Sequence, residues 1–258
     1  MKFCVFTAVT GPSLDELRDD LRPMVPGVSP DLDCFCFTNL EAYKAPEGWT
    51  TVHISTETVA EVDVTPHQVY RLLARSIKLR PHLYIPSFDT YRVSGWVDGN
   101  VEFLEDPVVF FRQVATIGER EPGDPLFASF IHHERSSIGQ ELTAVKAMRP
   151  DEVSSLSVLE AYCRKIKFPD SMGLLETCVV IRSNHEAVFK LNNLWWKLLL
   201  MTGLRDQVVL PVALFEMKRH LTPTRLTYRW RENETGDMHI MGWPKAPWVH
   251  RLKHTNKT

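Results

Sequence analysis

Asp98-Gly99-Asn100 closes an apolar run, Val93-Ser94-Gly95-Trp96-Val97. An aspartate and an amide oxygen two positions apart at a strand end can both point into the space beyond the strand. Oxygen donors of this kind suit Mg²⁺ or Mn²⁺, which would bridge to a diphosphate. The same tripeptide is also a good hairpin turn. A second group lies far along the chain, His239-Ile240-Met241-Gly242-Trp243-Pro244-Lys245-Ala246-Pro247-Trp248. Its imidazole can complete an octahedral metal site. Gly242 would let the backbone approach a phosphate closely, and Lys245 supplies a point charge for a diphosphate leaving group. Read without chemistry, the stretch is a Pro/Trp-rich surface loop with a solvent-facing histidine.

Three further groups carry charge in suggestive places. Arg75-Ser76-Ile77-Lys78 ends a helical pattern, where cations also suit the helix dipole. His132-His133-Glu134-Arg135 with Glu141 is rich in donors and acceptors. Neighbouring histidines on a strand point to opposite faces, so alternation predicts that these two do not share a metal. Arg205-Asp206-Gln207 stands at a helix start, where a carboxylate is favourable with or without chemistry.

The elements that must position these groups read as alternating strands and helices. Lys2 to Val9 is a first strand, followed by a short helix over Leu14 to Leu21 with Ser13 as N-cap and Glu16 at the capping-box position. Asp33 to Thr38 and Thr50 to Ile54 are strands. Pro66 to Leu79 is a helix whose stripe is Val69, Leu72, Leu73 and Ile77. Val93 to Val97 is central. Beyond it the pattern is less regular: strands at Phe127 to His132 and Thr177 to Ile181, and helices at Ser157 to Phe168 and His185 to Met201. A further helix follows Gly203, and Arg225 to Trp230 is a last strand before a loop at Glu232 to Gly236. Such alternation predicts a mainly parallel sheet covered on both faces, with ligands outside the carboxyl ends of the strands. The loop after the first strand and the Asp98 turn then share one cleft.

Composition sets the frame. The chain has 258 residues, 44% hydrophobic and 24% charged, with a formal net charge of −2. That is long enough for a sizeable core and gives no global reason to expect a nucleic-acid or acidic-membrane partner. Only the end is locally basic, with Arg251, Lys253, His254 and Lys257. Five scattered cysteines, with Cys34 and Cys36 on one face of a strand, suit a core in a reducing compartment better than a zinc site. The apolar start is too short for a signal peptide, and no run reaches the length of a membrane span. The expectation is a cytoplasmic protein without a transmembrane segment.

These residues also carry a resemblance. Lys78-Leu79-Arg80-Pro81-His82, Tyr84-Ile85-Pro86, Trp96-Val97-Asp98-Gly99-Asn100, His132, Arg135, Glu141 and Arg205-Asp206-Gln207 together resemble a family of glycosyltransferases that includes plant Golgi proteins of mucilage and cell-wall synthesis and many bacterial members. Val5 to Gly11 and Cys36-Phe37-Thr38-Asn39 look like that family's first two strands. His239-x-x-Gly242-x-x-Lys245, then Pro247-Trp248, is similar to the HxxGxxKPW signature of glycosyltransferase family eight, with Ala246 inserted.

The resemblance implies a GT-A fold, α/β with a mainly parallel Rossmann-like sheet and helices on both faces. It implies a single domain over 1–258, with 1–105 the nucleotide-binding half and 106–258 the acceptor side and closing C-terminal loop. It implies a nucleotide-sugar donor, UDP- or GDP-linked, and Mn²⁺ or Mg²⁺ on Asp98, Asn100 and His239, although the usual second aspartate is asparagine here. Thr7, Ala8, Thr10 and Lys78 would touch the donor, and Gly242 and Lys245 its diphosphate. Asp206 and Gln207 would lie beside the anomeric carbon. His132, Arg135, Glu141 and Trp243 would contact donor or acceptor. The acceptor stays open among saccharide, lipid, protein, natural product and modified nucleic acid. Family eight retains anomeric configuration; an inverting enzyme would need a base, for which Glu141 and Asp206 are the candidates. Two other classes stay open, a nucleotide-sugar hydrolase and a non-catalytic sugar-nucleotide-binding module.

Overall fold

The computed structural model describes residues 2–17, 29–60, 62, 65–103, 106–119, 121, 123–148, 153–203, 205–226, 229–232, 238–241 and 247–251, the last three segments as backbone strands only. Three parallel strands open the fold, β1 (Phe3–Val9), β2 (Leu32–Thr38) and β3 (Thr50–His53). Helix α1 (Pro66–Leu79) leads into β4 (Val93–Val97), which pairs parallel to β1. Then come β5 (Val101–Phe103), α2 (Pro107–Gly118), β6 (Phe127–Ile131), α3 (Ile138–Met148) and α4 (Val153–Lys165). The chain continues through β7 (Leu175–Ser183), α5 (Glu186–Thr202), α6 (Asp206–Met217) and β8 (Thr224–Leu226). Among the described residues the main sheet has seven strands in the order β3-β2-β1-β4-β7-β6-β8. Only β7 runs against its neighbours, so the sheet is mostly parallel, as expected. It continues without a break from strands of the first hundred residues into strands of the second half.

Period-two alternation divides the core. Cys4 and Phe6 of β1 face one way with Phe35 and Phe37 of β2, and meet Leu72, Leu73 and Ile77 of α1 and the apolar faces of α3 to α6. Phe3, Val5 and Val9 face the other way with Cys34 and Cys36, and meet Phe110, Phe111 and Val114 of α2. Both faces are covered, which is why the strands read as unbroken apolar runs. Helix α1 starts where its sequence says: Pro66 takes the first position, and Thr65 N donates to Gln68 Oε1 at 3.0 Å.

Packing under α2 is tight. A Cβ on Gly95, in mid-β4, would lie 2.4 Å from the ring of Phe111, itself fully buried and stacked on Phe3. The ring cannot yield without moving its neighbours, so Gly95→Ala should destabilise the protein by about 1–3 kcal/mol, the usual cost of overpacking. Urea unfolding measures this directly, and an unchanged midpoint would show that the layer is looser than its geometry.

Several expectations need correction. Residues 14–17 form turns rather than the start of a helix, and 18–21 lie outside the described residues. Helices α2 and α3 lie in a stretch read as less regular, yet each buries one stripe, Val108, Phe111, Val114 and Ala115 in α2 and Ile138, Glu141, Leu142 and Val145 in α3. Arg225 to Trp230 is not the last strand. Strands β9 (Arg229–Glu232), β10 (Met238–Met241) and β11 (Pro247–Arg251) follow, joined with β5 in an antiparallel sheet ordered β5-β11-β10-β9. His239 thus sits in a strand, where the sequence reading had a loop.

Candidate functional site

Asp98 follows the last residue of β4. Its N–H donates to Cys178 O at 2.8 Å, extending the pairing with β7, and its own carbonyl accepts from Val101 N at 3.0 Å. The tripeptide is therefore a turn, yet not a hairpin: the strand beyond it, β5, joins the second sheet. The Asp98 side chain is about one-third exposed at 35%, and Oδ1 accepts from Trp96 Nε1 at 2.7 Å. Asn100 is buried within the turn.

Lys78, near the end of α1, ties this turn to α6. Its Nζ lies 2.5 Å from Asp206 Oδ2 and 3.7 Å from Asp98 Oδ1, over the Trp96 ring. Arg75 reaches the other oxygen of Asp206, Nε to Oδ1 at 3.2 Å, and Thr177 Oγ1 donates to Oδ2 at 2.9 Å. Trp195 of α5 donates from Nε1 to the Asp206 carbonyl at 2.9 Å and so fixes the first turn of α6. Burial opposes ionisation of Asp206, but the Lys78 and Arg75 charges and the donors on both oxygens outweigh it and hold the carboxyl well below the usual carboxylate range. Lys78 is only 4% exposed. It serves as the counter-ion of two carboxylates, whereas Arg75, one quarter exposed, is the more accessible cation.

One residue on, Gln207 Nε2 donates to Glu141 Oε1 at 3.2 Å. Glu141, in the first turn of α3, also accepts from Arg135 Nε on Oε2. The loop that carries Arg135 is wound around His132, whose Nδ1 accepts from the amides of Glu134 and Arg135 at 3.1 and 3.2 Å. Burial lowers the His132 pKa, so the ring is neutral at pH 7.

The expectation that the two histidines diverge is wrong. The chain leaves the strand at Ile131, so alternation no longer applies, and the rings stack in parallel, 4° apart at 5.1 Å. His133 Nδ1 lies 2.5 Å from Glu176 Oε1, and His132, His133 and Glu176 offer ligand atoms within 4.8 Å of one another. Proximity alone would admit a metal. His132 argues against it as placed: Nδ1 faces the two amide N–H donors and Nε2 lies 3.1 Å from Arg135 Nη2, itself a donor, so both ring nitrogens already face groups that compete with a metal for a lone pair.

Of the other sequence candidates, Thr7 is fully buried with Oγ1 lacking a hydrogen-bond partner, while Ala8 is half-buried. Thr10 directs its hydroxyl to Tyr70 O at 3.0 Å, and Asn39 exchanges two hydrogen bonds with Gly11, pinning the loop after β1 to the end of β2. For His239 only its place in β10 is described; Gly242, Trp243 and Lys245 lie outside the described residues. Glu176 and Thr177 were missed. Their signal was available, two polar residues at the start of the buried run Leu174 to Ile181. Together the groups form an acid-rich cluster in which the carboxyls of Asp98, Glu134, Glu141 and Asp206 meet the cations of Arg75, Lys78 and Arg135, and Glu176 meets His133.

The chain superposes on mouse xyloside xylosyltransferase 1 in its apo form with a TM-score of 0.51, covering 87% of this chain and 85% of that one at 8% identity. The fold is of the GT-A type. The galactosyltransferase LgtC, solved with donor and acceptor sugar analogues, is also similar, with a TM-score of 0.44, 14% identity, and 83% of this chain and 70% of that one covered. No family model matches the chain, and no curated protein matches it in sequence. Among the described residues no helix is long and apolar enough to cross a membrane.

Proposed function

We propose that this protein transfers a sugar from a nucleoside-diphosphate sugar, UDP- or GDP-linked, to an acceptor, with help from Mn²⁺ or Mg²⁺ and with retention of anomeric configuration. The observation that carries the proposal is the ion-pair group in which Lys78 joins Asp98 to Asp206, next to Gln207, on a GT-A fold. Residues far apart in sequence meet there. The whole chain is read as one domain, 1–105 contributing the nucleotide side and 106–258 the acceptor side.

Asp98 fits a divalent ion: its carboxylate is partly open at a strand end, with Oδ1 held by Trp96. Asn100, buried in the turn, fits less well, and His239 is proposed from the sequence motif. Charge points the same way. Among the described residues five carboxyls stand against three cations, so a diphosphate would be better accommodated with countercharge beside it. When bound, the ion would neutralise the developing charge of the leaving diphosphate. Lys245 and the Gly242 backbone are assigned to the same diphosphate. Thr7, buried as it is, is assigned a supporting role, and Ala8 and Thr10 remain candidates for the nucleotide side. Arg75 takes the donor contact first expected of Lys78. Gln207 presents a carbonyl to the positive charge that develops on the sugar, and binding both substrates in one cleft contributes the orientation. His132, Arg135 and Trp243 are assigned to the sugars. The acceptor is a hydroxyl compound among the classes named above, and the buried cysteines, with Cys34 and Cys36 pushed up to about 12 by burial, suit a reducing cytoplasm.

A donor screen by thermal shift tests the proposal. UDP-, GDP- and dTDP-sugars are titrated with and without Mn²⁺; a bound donor raises the melting temperature in proportion to the logarithm of its concentration. No shift with any donor would overturn the proposal. Faster donor turnover without acceptor would assign a hydrolase, and metal-dependent binding without turnover a binding module. Proton NMR of the fresh product then reads the stereochemistry. An α-linked donor should give an α-linked product, and Gln207→Ala should slow the reaction without ending it. A β-linked product would overturn retention.

A further inference from the structure

Gln207 is gripped at one end. Its Nε2 donates to Glu141, and among the described residues its Oε1 takes no hydrogen bond. A glutamine amide can present either end to a cleft, so the partner decides which. An ionised carboxylate only accepts, and therefore takes the N–H end and repels the oxygen. Glu141 is itself held. It is buried, Arg135 Nε donates to its Oε2, and the Arg135 loop is folded on the His132 ring. Oε1 thus holds Gln207 and Oε2 holds Arg135.

We propose that Glu141 is a positioning residue that acts through Gln207, locking the amide so that its carbonyl oxygen, and not its NH₂ group, faces the cleft. The inference rests on the glycosyl-transfer proposal above. There the difference is large in consequence: a carbonyl dipole stabilises positive charge on the sugar, and an amide NH₂ in its place opposes it. His132 and Arg135, besides their assignment to the sugars, then serve the same end: Arg135 holds the carboxylate that holds the glutamine, and His132 anchors the Arg135 loop.

Glu141→Gln is the deciding variant, because its amide can donate as well as accept and so permits Gln207 to turn over. The side-chain NH₂ signal of Gln207, identified by its loss in Gln207→Ala, should lie downfield in the ¹H–¹⁵N spectrum of the wild-type protein and move upfield in Glu141→Gln. Glu141→Asp, still acceptor-only, should keep it downfield, and serves if the first variant does not fold. With the UDP-sugar that stabilises the protein in Mn²⁺, release of UDP should slow about 10–100-fold in Glu141→Gln, the range for partners of a reacting group. KM for the donor should stay within about twofold. In a Gln207→Ala background, Glu141→Gln should change kcat by less than about twofold. An unmoved signal, or a full additive loss in the double variant, overturns the inference. A wild-type protein that releases UDP from no donor overturns the transferase proposal instead, and the NMR comparison still decides the role of Glu141.

Discussion

Asp206→Ala should cost about 3–5 kcal/mol of stability and end turnover, the loss expected when one member of a buried ion pair is removed. The carboxylate is buried and holds two cations, Lys78 at 2.5 Å and Arg75 at 3.2 Å, besides the Thr177 hydroxyl. Its removal strands the Lys78 ammonium, which is almost wholly buried and keeps the longer contact to Asp98 and the face of the Trp96 ring. Urea unfolding at neutral pH gives the magnitude. Replacing the stranded cation as well, in Asp206→Ala/Lys78→Met, should recover a large part of the loss, because the penalty lies in the uncompensated charge. A loss below about 1 kcal/mol, the range of exposed pairs, would mean that solvent reaches the pair.

The pH dependence has a defined sign. The folded Asp206 carboxyl titrates below its unfolded value, so the unfolded chain binds the proton first. Its contribution is fully present above the ordinary aspartate pKa, about 4, and is lost as pH falls from there through the depressed folded value. In Asp206→Ala the acid limb of the stability curve should be shallower by the titration of one group.

Asp98→Ala should abolish metal-dependent donor binding while leaving the fold in place. Even partners of metal ligands are worth about 10–100-fold in affinity, so a ligand itself should exceed about 100-fold. The fold should survive because the side chain is partly exposed, and the backbone bonds to Cys178 and Val101 that build the turn do not involve it. Trp96 Nε1 loses its acceptor in the variant, at a cost of about 1 kcal/mol. Calorimetry with UDP and Mn²⁺, and again with chelator, separates the cases. Equal affinity for wild type and variant, or for wild type with and without metal, would remove Asp98 from the metal site and leave Lys78 as the cation of that corner.

The fold was legible where pattern and punctuation agree. β1, β2, β4 and β7 announced themselves as apolar runs because both sheet faces are buried, and α1 by its stripe and Pro66 start. α2 and α3 stayed hidden although each buries one stripe, because exposed Val109 and Ile117 blur the apolar face of α2 and the polar Glu141 sits in the buried stripe of α3. The second sheet stayed hidden for another reason. β5 and β11 pair across nearly the whole second half of the chain, and short antiparallel strands with so distant a partner leave no local signal.

Sequence by itself determined which residue types would be available, the carboxylate at the end of β4, the acid-amide pair at the start of α6 and the cations of α1, together with the mostly parallel sheet that carries strand ends to one edge. Tertiary structure alone decided which of them touch. It placed Lys78 between Asp98 and Asp206, turned His132 and His133 to the same side, and brought Glu176 and Thr177 into the group. Local sequence encodes periodicity and caps through interactions within a few residues. Ion pairing in a cleft depends on where whole elements pack, and that is settled by burial of the two apolar faces across the entire sheet.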